Sequence, residues 1–328
     1  MKVMALLAPG AGKLEPGERE VPIALPGELL IRVRACGVCA IDLQTVDGQL
    51  TPGEFPIVPG HEIVGVVDVV GDGVTEFQIG DRVGVPPLAY TCGACEFCAS
   101  GRENLCRTAR FAGLDMDGGC AEFVVADAAY VFKLPEQYSD PEAATLLCAG
   151  VTAYRAYRMI GDARRLGMYG FDAGAHLVAQ IAVHQQREVY AFTPPGDEAR
   201  QALARSFGCA WAGGFADVPP APLDAAIVFA ADGGLVTEAL SRLVPGGVLV
   251  CTAARMSDVP SFAFDQLADE RTIRTVTNMT RDAARELIAL AGTMRLEPRV
   301  QTYELADANR ALGDLRDGRI LGAVVLTL

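Results

Sequence analysis

The stretch LGMYGFDAGAHLVAQIAVHQQREVYAF, Leu166 to Phe192, reads as a strand, a glycine-containing turn, a helix and a second strand. LGMYG and EVYAF are short apolar runs, and LVAQIAVHQQ between them has helical spacing. This is the βαβ unit of a parallel sheet. A turn between such a strand and helix is where the pyrophosphate of a dinucleotide normally docks, on free backbone N–H groups at the positive end of the helix. In the pattern G-x-G-x-x-G the first glycine is Gly170, but the second position is Asp172 and the third is Ala175. A phosphate cradle that carries its own negative charge needs an explanation.

Outward from this unit, the alternation continues through LDAAIVFA and GGVLVCTA. Upstream, GELLIRVRACGV, IVGVVDVVGDGV, GDRVGVPP and CAEFVVADAAYVFKLP are short β-like runs broken by Gly and Pro, the pattern of an irregular, mostly antiparallel domain. PEAATLLCAGVTAYRAYR, from Pro141, reads as the helix that opens the α/β part. The last fifty or so residues read as helix, strand, helix and strand. Periodicity leaves open whether they extend the parallel sheet or rejoin the first domain.

A chain of 328 residues suits two domains with separate cores. The composition, 51% hydrophobic and 21% charged, is that of an ordinary globular protein. A net charge of −13 argues against nucleic acid or an anionic membrane as partner. The opening MKVMALLAPG is broken by Pro9 and reads as a first strand, too short for a signal peptide's apolar region. No apolar run reaches membrane-spanning length. These features predict a cytoplasmic protein with a small-molecule substrate.

Four of the ten cysteines cluster in CGACEFCASGRENLC, where Cys92, Cys95, Cys98 and Cys106 are separated by two, two and seven residues. Four thiolates so close can wrap one Zn²⁺ tetrahedrally and leave no open position, which describes a structural site. A second set is scattered: Cys39 in GVCAID, His61 and Glu62 in PGHE, and Cys148 in LLCAG. Such ligands from distant segments suit a catalytic zinc, which keeps a position for water or substrate. Taken singly, a buried cysteine is usually core. Asp42 is placed to accept the second N–H of His61 and fix its tautomer, or to serve as a helix cap or a solvated turn residue.

With GVCAID, GHE, CGACEFCASGRENLC, LLCAGVTAYRA and the βαβ stretch in this order, the chain resembles the zinc-dependent alcohol dehydrogenases of the medium-chain dehydrogenase/reductase superfamily over essentially its whole length. The resemblance implies an α/β protein with a GroES-like, β-rich catalytic domain at residues 1–150, carrying a structural-zinc lobe at about 90–107. It further implies a Rossmann-fold domain, a doubly wound parallel sheet, at 151–278, and a return to the catalytic domain at 279–328. Zinc at both sites, a Glu62 that exchanges with water at the metal, an NAD(P) coenzyme, and a homodimer or homotetramer paired through the Rossmann sheets are implied as well.

The sequence departs from this family at the proton relay, the phosphate loop and the coenzyme-selecting positions. Ile41 stands where the family has a Ser or Thr hydroxyl, Gln44 where many members have His, and Ala40 where some place a cation. Neither Ile nor Gln can pass a proton. In the phosphate loop, a carboxylate about 4 Å from a phosphate charge costs roughly 4 kcal/mol at an effective dielectric of 20, nearly a thousandfold in affinity. His176, one helical turn on, is placed to offset part of that charge. Asp172 also reads as a helix N-cap, which would occupy the donors a pyrophosphate needs. The strand EVYAF ends in Thr193-Pro194-Pro195, with no acid for a ribose hydroxyl and no Arg for a 2′-phosphate. Asp232 stands near where relatives offer small or apolar groups to the nicotinamide, and Thr252 and Ala253 where glycine is frequent.

Trp211, His184, Cys36, Cys120, Cys209 and Cys251 read as packing or surface, and Tyr90 and Phe111 as flanks of the zinc lobe. Together these features predict a zinc enzyme of alcohol dehydrogenase ancestry with impaired NAD(P) binding. Its metal would act as a Lewis acid on a carbonyl or hydroxyl compound in a redox-neutral cyclisation, elimination, isomerisation or hydrolysis. The alternatives are an NAD(P)H-dependent dehydrogenase or reductase with altered proton delivery, and a non-catalytic ligand-binding relative.

Overall fold

The computed structural model describes residues 1–328. In chain order the first elements are β1 (Lys2–Ala5), β2 (Glu15–Glu18), β3 (Glu28–Val38), α1 (Ala40–Val46), β4 (Glu62–Val70), β5 (Arg82–Val85) and β6 (Leu88–Tyr90). They are followed by α2 (Glu96–Ala99), β7 (Arg110–Phe111), β8 (Phe123–Asp127), β9 (Phe132–Lys133) and α3 (Asp140–Thr145). One π-helical turn, Leu146–Gly150, separates α3 from α4 (Val151–Met159). Next come β10 (Arg165–Tyr169), α5 (Ala173–His184), β11 (Glu188–Thr193), α6 (Glu198–Ser206), β12 (Trp211–Gly214) and β13 (Leu223–Val228). The chain ends with α7 (Gly234–Ser241), β14 (Leu243–Cys251), β15 (Thr272–Thr275), α8 (Arg281–Thr293), β16 (Val300–Glu304), α9 (Ala308–Arg316) and β17 (Ala323–Thr327).

The chain forms two compact units. The first comprises Met1–Ala149, Asn278–Arg295 and Arg299–Leu328. Its main sheet has seven strands, running β16-β17-β3-β4-β5-β9, with β8 also paired to β3. The middle of the long strand β3 alternates as a half-buried strand should: Ile31, Val33 and Ala35 are buried, whereas Arg32 and Arg34 face water; towards its end, Cys36–Val38, every residue is buried. Leu29, Ile31, Val33 and Cys36 of this strand join Ile63, Val67, Val83, Val85 and Val124 in one core. The destination of the C-terminal tail is decided by pairing: β17 runs antiparallel to β3, Val324 opposite Val38, and β16 runs parallel to β17. The tail therefore rejoins the first sheet.

The second unit comprises Gly150–Thr277 and Leu296–Pro298. It holds a six-stranded sheet in the order β12-β11-β10-β13-β14-β15, with every pair parallel. This is the doubly wound order in which the first strand, here β10, lies at the centre and the chain reverses direction beside it. The sequence pattern marks four of these strands. The two edge strands, WAGG and TIRT, lack a continuous apolar run, and TIRT is largely exposed. The polarity of TIRT hides it from periodicity and guards against edge pairing, whereas WAGG is largely buried but short and half glycine. One apolar core of this unit gathers Tyr169, Phe192, Leu223, Val228, Leu235, Leu240 and Leu249.

The helix expected over PEAATLLCAGVTAYRAYR is interrupted. Ser139 and Glu142 form a capping box that starts α3, and the π turn then carries Cys148. Such turns insert an extra residue and re-aim side chains, and they are frequent at functional sites. No helix is long and apolar enough to cross a membrane.

Leu249 is fully buried in β14, and Val218 is 78% exposed. Leu249→Ala is expected to destabilise the Rossmann unit by about 2–5 kcal/mol and Val218→Ala by no more than about 0.5 kcal/mol. Urea unfolding of both variants checks this; equal midpoints would contradict the core assignment.

Candidate functional site

The chain segment leaving β3 turns into α1 at Cys39, whose backbone is extended and whose sulfur accepts the Ile41 N–H at 3.4 Å. Asp42 closes the same turn by accepting the Cys39 N–H at 2.9 Å. It is buried, and its other oxygen lies 3.2 Å from the Gly60 nitrogen and 3.3 Å from His61 Nδ1. One carboxylate thus caps α1 and orients the imidazole. The opposite ring nitrogen, Nε2, lies 3.2 Å from Cys39 Sγ. Burial works against a charged His61 ring, but the Asp42 and Cys39 charges outweigh it and hold the ring's pKa well above its ordinary value.

Cys39, His61, Glu62 and Cys148 each offer one ligand atom, and these four atoms lie within 4.8 Å of one another. Glu62 is buried, and its Oε1 has no hydrogen-bond partner. Burial pushes this carboxyl up to about 7. An orphaned acceptor at such depth is costly, and two thiols and an imidazole beside it make up a donor set suited to Zn²⁺. The residues fit a zinc ion.

In the other cluster, the ligand sulfurs of Cys92, Cys95, Cys98 and Cys106 also lie within 4.8 Å of one another. Backbone N–H groups point at the sulfurs: Cys95 donates to Cys92 Sγ at 3.3 Å and Cys92 to Cys106 Sγ at 3.5 Å. The Cys92 N–H and the Thr108 hydroxyl lower the Cys106 thiol to about 6, favouring the thiolate a metal takes. Sequence reasoning missed Glu103 in this lobe. It is buried and accepts the Arg281 N–H at 2.9 Å, in the first turn of α8. A Glu within the polar run GRENLC carries no local signal of such burial.

The phosphate-loop positions lie in the second unit. Gly170 turns the chain at φ +89°, and Asp172 is the N-cap of α5. One oxygen of Asp172 accepts the N–H groups of both Gly174 and Ala175 at 3.0 Å. The residue reaches solvent, but rotating its carboxylate away would break both of these bonds. His176 is fully buried, with Nδ1 3.1 Å from the Asp172 carbonyl oxygen and its ring stacked on Phe207. Ala175 is fully buried, as is Thr193, whose hydroxyl is engaged with the Gly213 carbonyl and the Gln201 amide.

Asp232 accepts the Gly234 N–H at 2.8 Å, beside the first turn of α7, and Thr252 donates to the Val228 carbonyl. Ile41 and Gln44 are half-buried on α1, Ala40 is exposed, and Gln44 Oε1 has no hydrogen-bond partner. Cys36, Cys120, Cys209 and Cys251 are buried, and His184 is exposed at the end of α5. Trp211 packs on Phe192, and Tyr90 and Phe111 belong to the two-stranded sheet β6–β7.

Residues 25–136 match the family described as the alcohol dehydrogenase GroES-like domain, and residues 212–326 the one described as zinc-binding dehydrogenase. The chain is 45% identical over 325 residues to a protein of Mycobacterium tuberculosis (strain CDC 1551 / Oshkosh) named probable alcohol dehydrogenase AdhA, covering 97% of this chain and 93% of that one. It is 33% identical over 327 residues to an alcohol dehydrogenase of Geobacillus stearothermophilus, with 96% of each chain covered. Among solved structures, an acetophenone reductase from Geotrichum candidum in complex with NAD superposes with a TM-score of 0.88 at 25% identity, over 100% of this chain and 97% of that one.

Each cluster is expected to hold its own ion. Metal analysis should find two zinc ions in the wild type and one in each of Cys39→Ser and Cys106→Ser, with the affected site weakened at least about tenfold. Only Cys106→Ser should lower the melting temperature markedly. Loss of both ions on either substitution would contradict two independent sites.

Proposed function

The chain belongs to the zinc-dependent alcohol dehydrogenase family of the medium-chain dehydrogenase/reductase superfamily, and from that premise we propose that it interconverts a small alcohol and its carbonyl compound with a nicotinamide coenzyme. The observation that carries this reading is the convergence of Cys39, His61, Glu62 and Cys148 on one point. Zinc, when bound there, supplies Lewis-acid polarisation of a carbon–oxygen bond.

The chain's own residues do the rest. Cys39, His61 and Cys148 hold the ion, and Asp42 keeps His61 in the tautomer that leaves Nε2 free to ligate. Glu62 is the ligand that substrate must displace, because a set of four protein donors leaves no open position. Ile41 and Gln44 offer no group that changes protonation. Proton exchange with the substrate oxygen therefore runs through solvent rather than through α1, in either direction of the reaction.

A second reading, redox-neutral chemistry at the same zinc centre, is favoured by one observation: Asp172 already accepts the first-turn N–H groups that a pyrophosphate would take. Coenzyme binding then requires the exposed side chain to rotate and leaves two negative charges close together. The relatives named alcohol dehydrogenase support the first reading over this one.

Trp211 is the only tryptophan, so energy transfer from it to NADH or NADPH reports coenzyme binding directly. The oxidoreductase reading expects micromolar binding by the wild type and a gain on Asp172→Gly of up to roughly a thousandfold. Wild type that binds neither coenzyme, with binding gained by Asp172→Gly, would move the reading to redox-neutral chemistry. The assembly we expect is a homodimer or homotetramer paired through the edge of the Rossmann sheet at β15; a monomeric mass by light scattering would remove it.

A further inference from the structure

Gly37 and Glu62 stand opposite one another in the β3–β4 ladder. Residues so paired normally keep their Cβ atoms about 4.5–5.5 Å apart. Here a Cβ on Gly37 would lie 2.9 Å from Glu62 Cβ, 2.8 Å from its Cδ and 2.0 Å from Oε2. All three of these nearest atoms belong to Glu62, so its side chain lies folded across the bare Cα of Gly37. Gly37 is not among the residues with positive φ, so its backbone suits any residue. What the position demands is the absence of a side chain.

The route taken by Glu62 has a consequence for the cluster, because its carboxylate is the fourth donor beside Cys39, His61 and Cys148. We propose that Gly37 is a positioning residue: its missing side chain is what lets the Glu62 carboxylate lie across β3 and complete the four-donor set. This rests on the reading of the cluster as a metal centre. A methyl group at position 37 strikes the movable end of Glu62, at Oε2 and Cδ, and also its Cβ at 2.9 Å, which no rotamer change moves. Swinging Glu62 out relieves the two severe contacts, at Oε2 and Cδ, and a shift of a few tenths of an ångström between β3 and β4 relieves the Cβ contact. The centre becomes a three-donor site with a permanently open position.

A double-mutant cycle tests this on the zinc- and cobalt-loaded protein, with Gly37→Ala, Glu62→Ala and the combined variant. Metal affinity at this centre and the visible absorption of bound Co²⁺, which reports ligand number and geometry, are the readouts. Gly37→Ala is expected to weaken the site by about 10–100-fold and to shift the cobalt spectrum as Glu62→Ala does. The combined variant should be no weaker than either single one, because both changes remove the same ligand. If Gly37→Ala folds poorly, recovery of folding on adding Glu62→Gly, which also removes the Cβ, supports the same contact. Wild-type affinity and spectrum in Gly37→Ala, losses that multiply in the combined variant, or misfolding that Glu62→Gly leaves uncorrected would overturn the proposal. A wild type that binds metal only at the tetrathiolate lobe would overturn the metal-centre reading as well, which separates the two failures.

Discussion

The buried carboxylate of Asp42 ties together the segments that supply the first donors. Its oxygens hold the Cys39 nitrogen, the Gly60 nitrogen and the His61 ring. The first contact starts α1 directly after β3, and the other two fix the residues entering β4. A carboxylate with 5% exposure would be costly if unpaired, so its three partners are what make that burial tolerable. The result is a frame in which Cys39 Sγ and His61 Nε2 approach to 3.2 Å.

The two cysteine-rich regions address different problems with one element. The lobe containing Cys92, Cys95, Cys98 and Cys106 has little apolar cover of its own, and its four sulfurs and the N–H groups aimed at them fit an ion that would stand in for a core. Its remaining anchor is Glu103, which reaches the first turn of α8. The scattered set spends well-ordered secondary structure instead: the end of β3, the start of β4 and a π turn between α3 and α4. Interrupting a helix sacrifices regular hydrogen bonding, and here the interrupted turn carries Cys148.

The strand-to-helix loop shows how a change of one side chain alters what a fold offers. The helix end, the Gly170 turn and the close-packed Ala175 are all in place for an anion. Asp172 supplies that anion from within the chain. Stabilising a helix by an N-cap and stabilising a bound phosphate draw on the same N–H groups, so the two are in competition. Which one prevails governs whether the zinc chemistry of this family member is coupled to hydride transfer.

The features legible in the sequence were those whose causes are local. Four cysteines within fifteen residues can reach one ion whatever surrounds them, and the alternation from LGMYG to GGVLVCTA reports backbone periodicity directly. The identity of Asp172 at a glycine position could likewise be read without coordinates, and so could the lack of a proton carrier at Ile41 and Gln44. Tertiary structure alone decided that the C-terminal strand pairs with β3, that the short, glycine-rich WAGG and the polar TIRT close the edges of the parallel sheet, and that a π turn breaks the expected helix. It also placed Glu62 over Gly37 and buried Glu103 in a polar loop. These depend on strand register and on which side chains meet across the fold, quantities set by the free energy of the whole packed chain and carried by no short stretch of it.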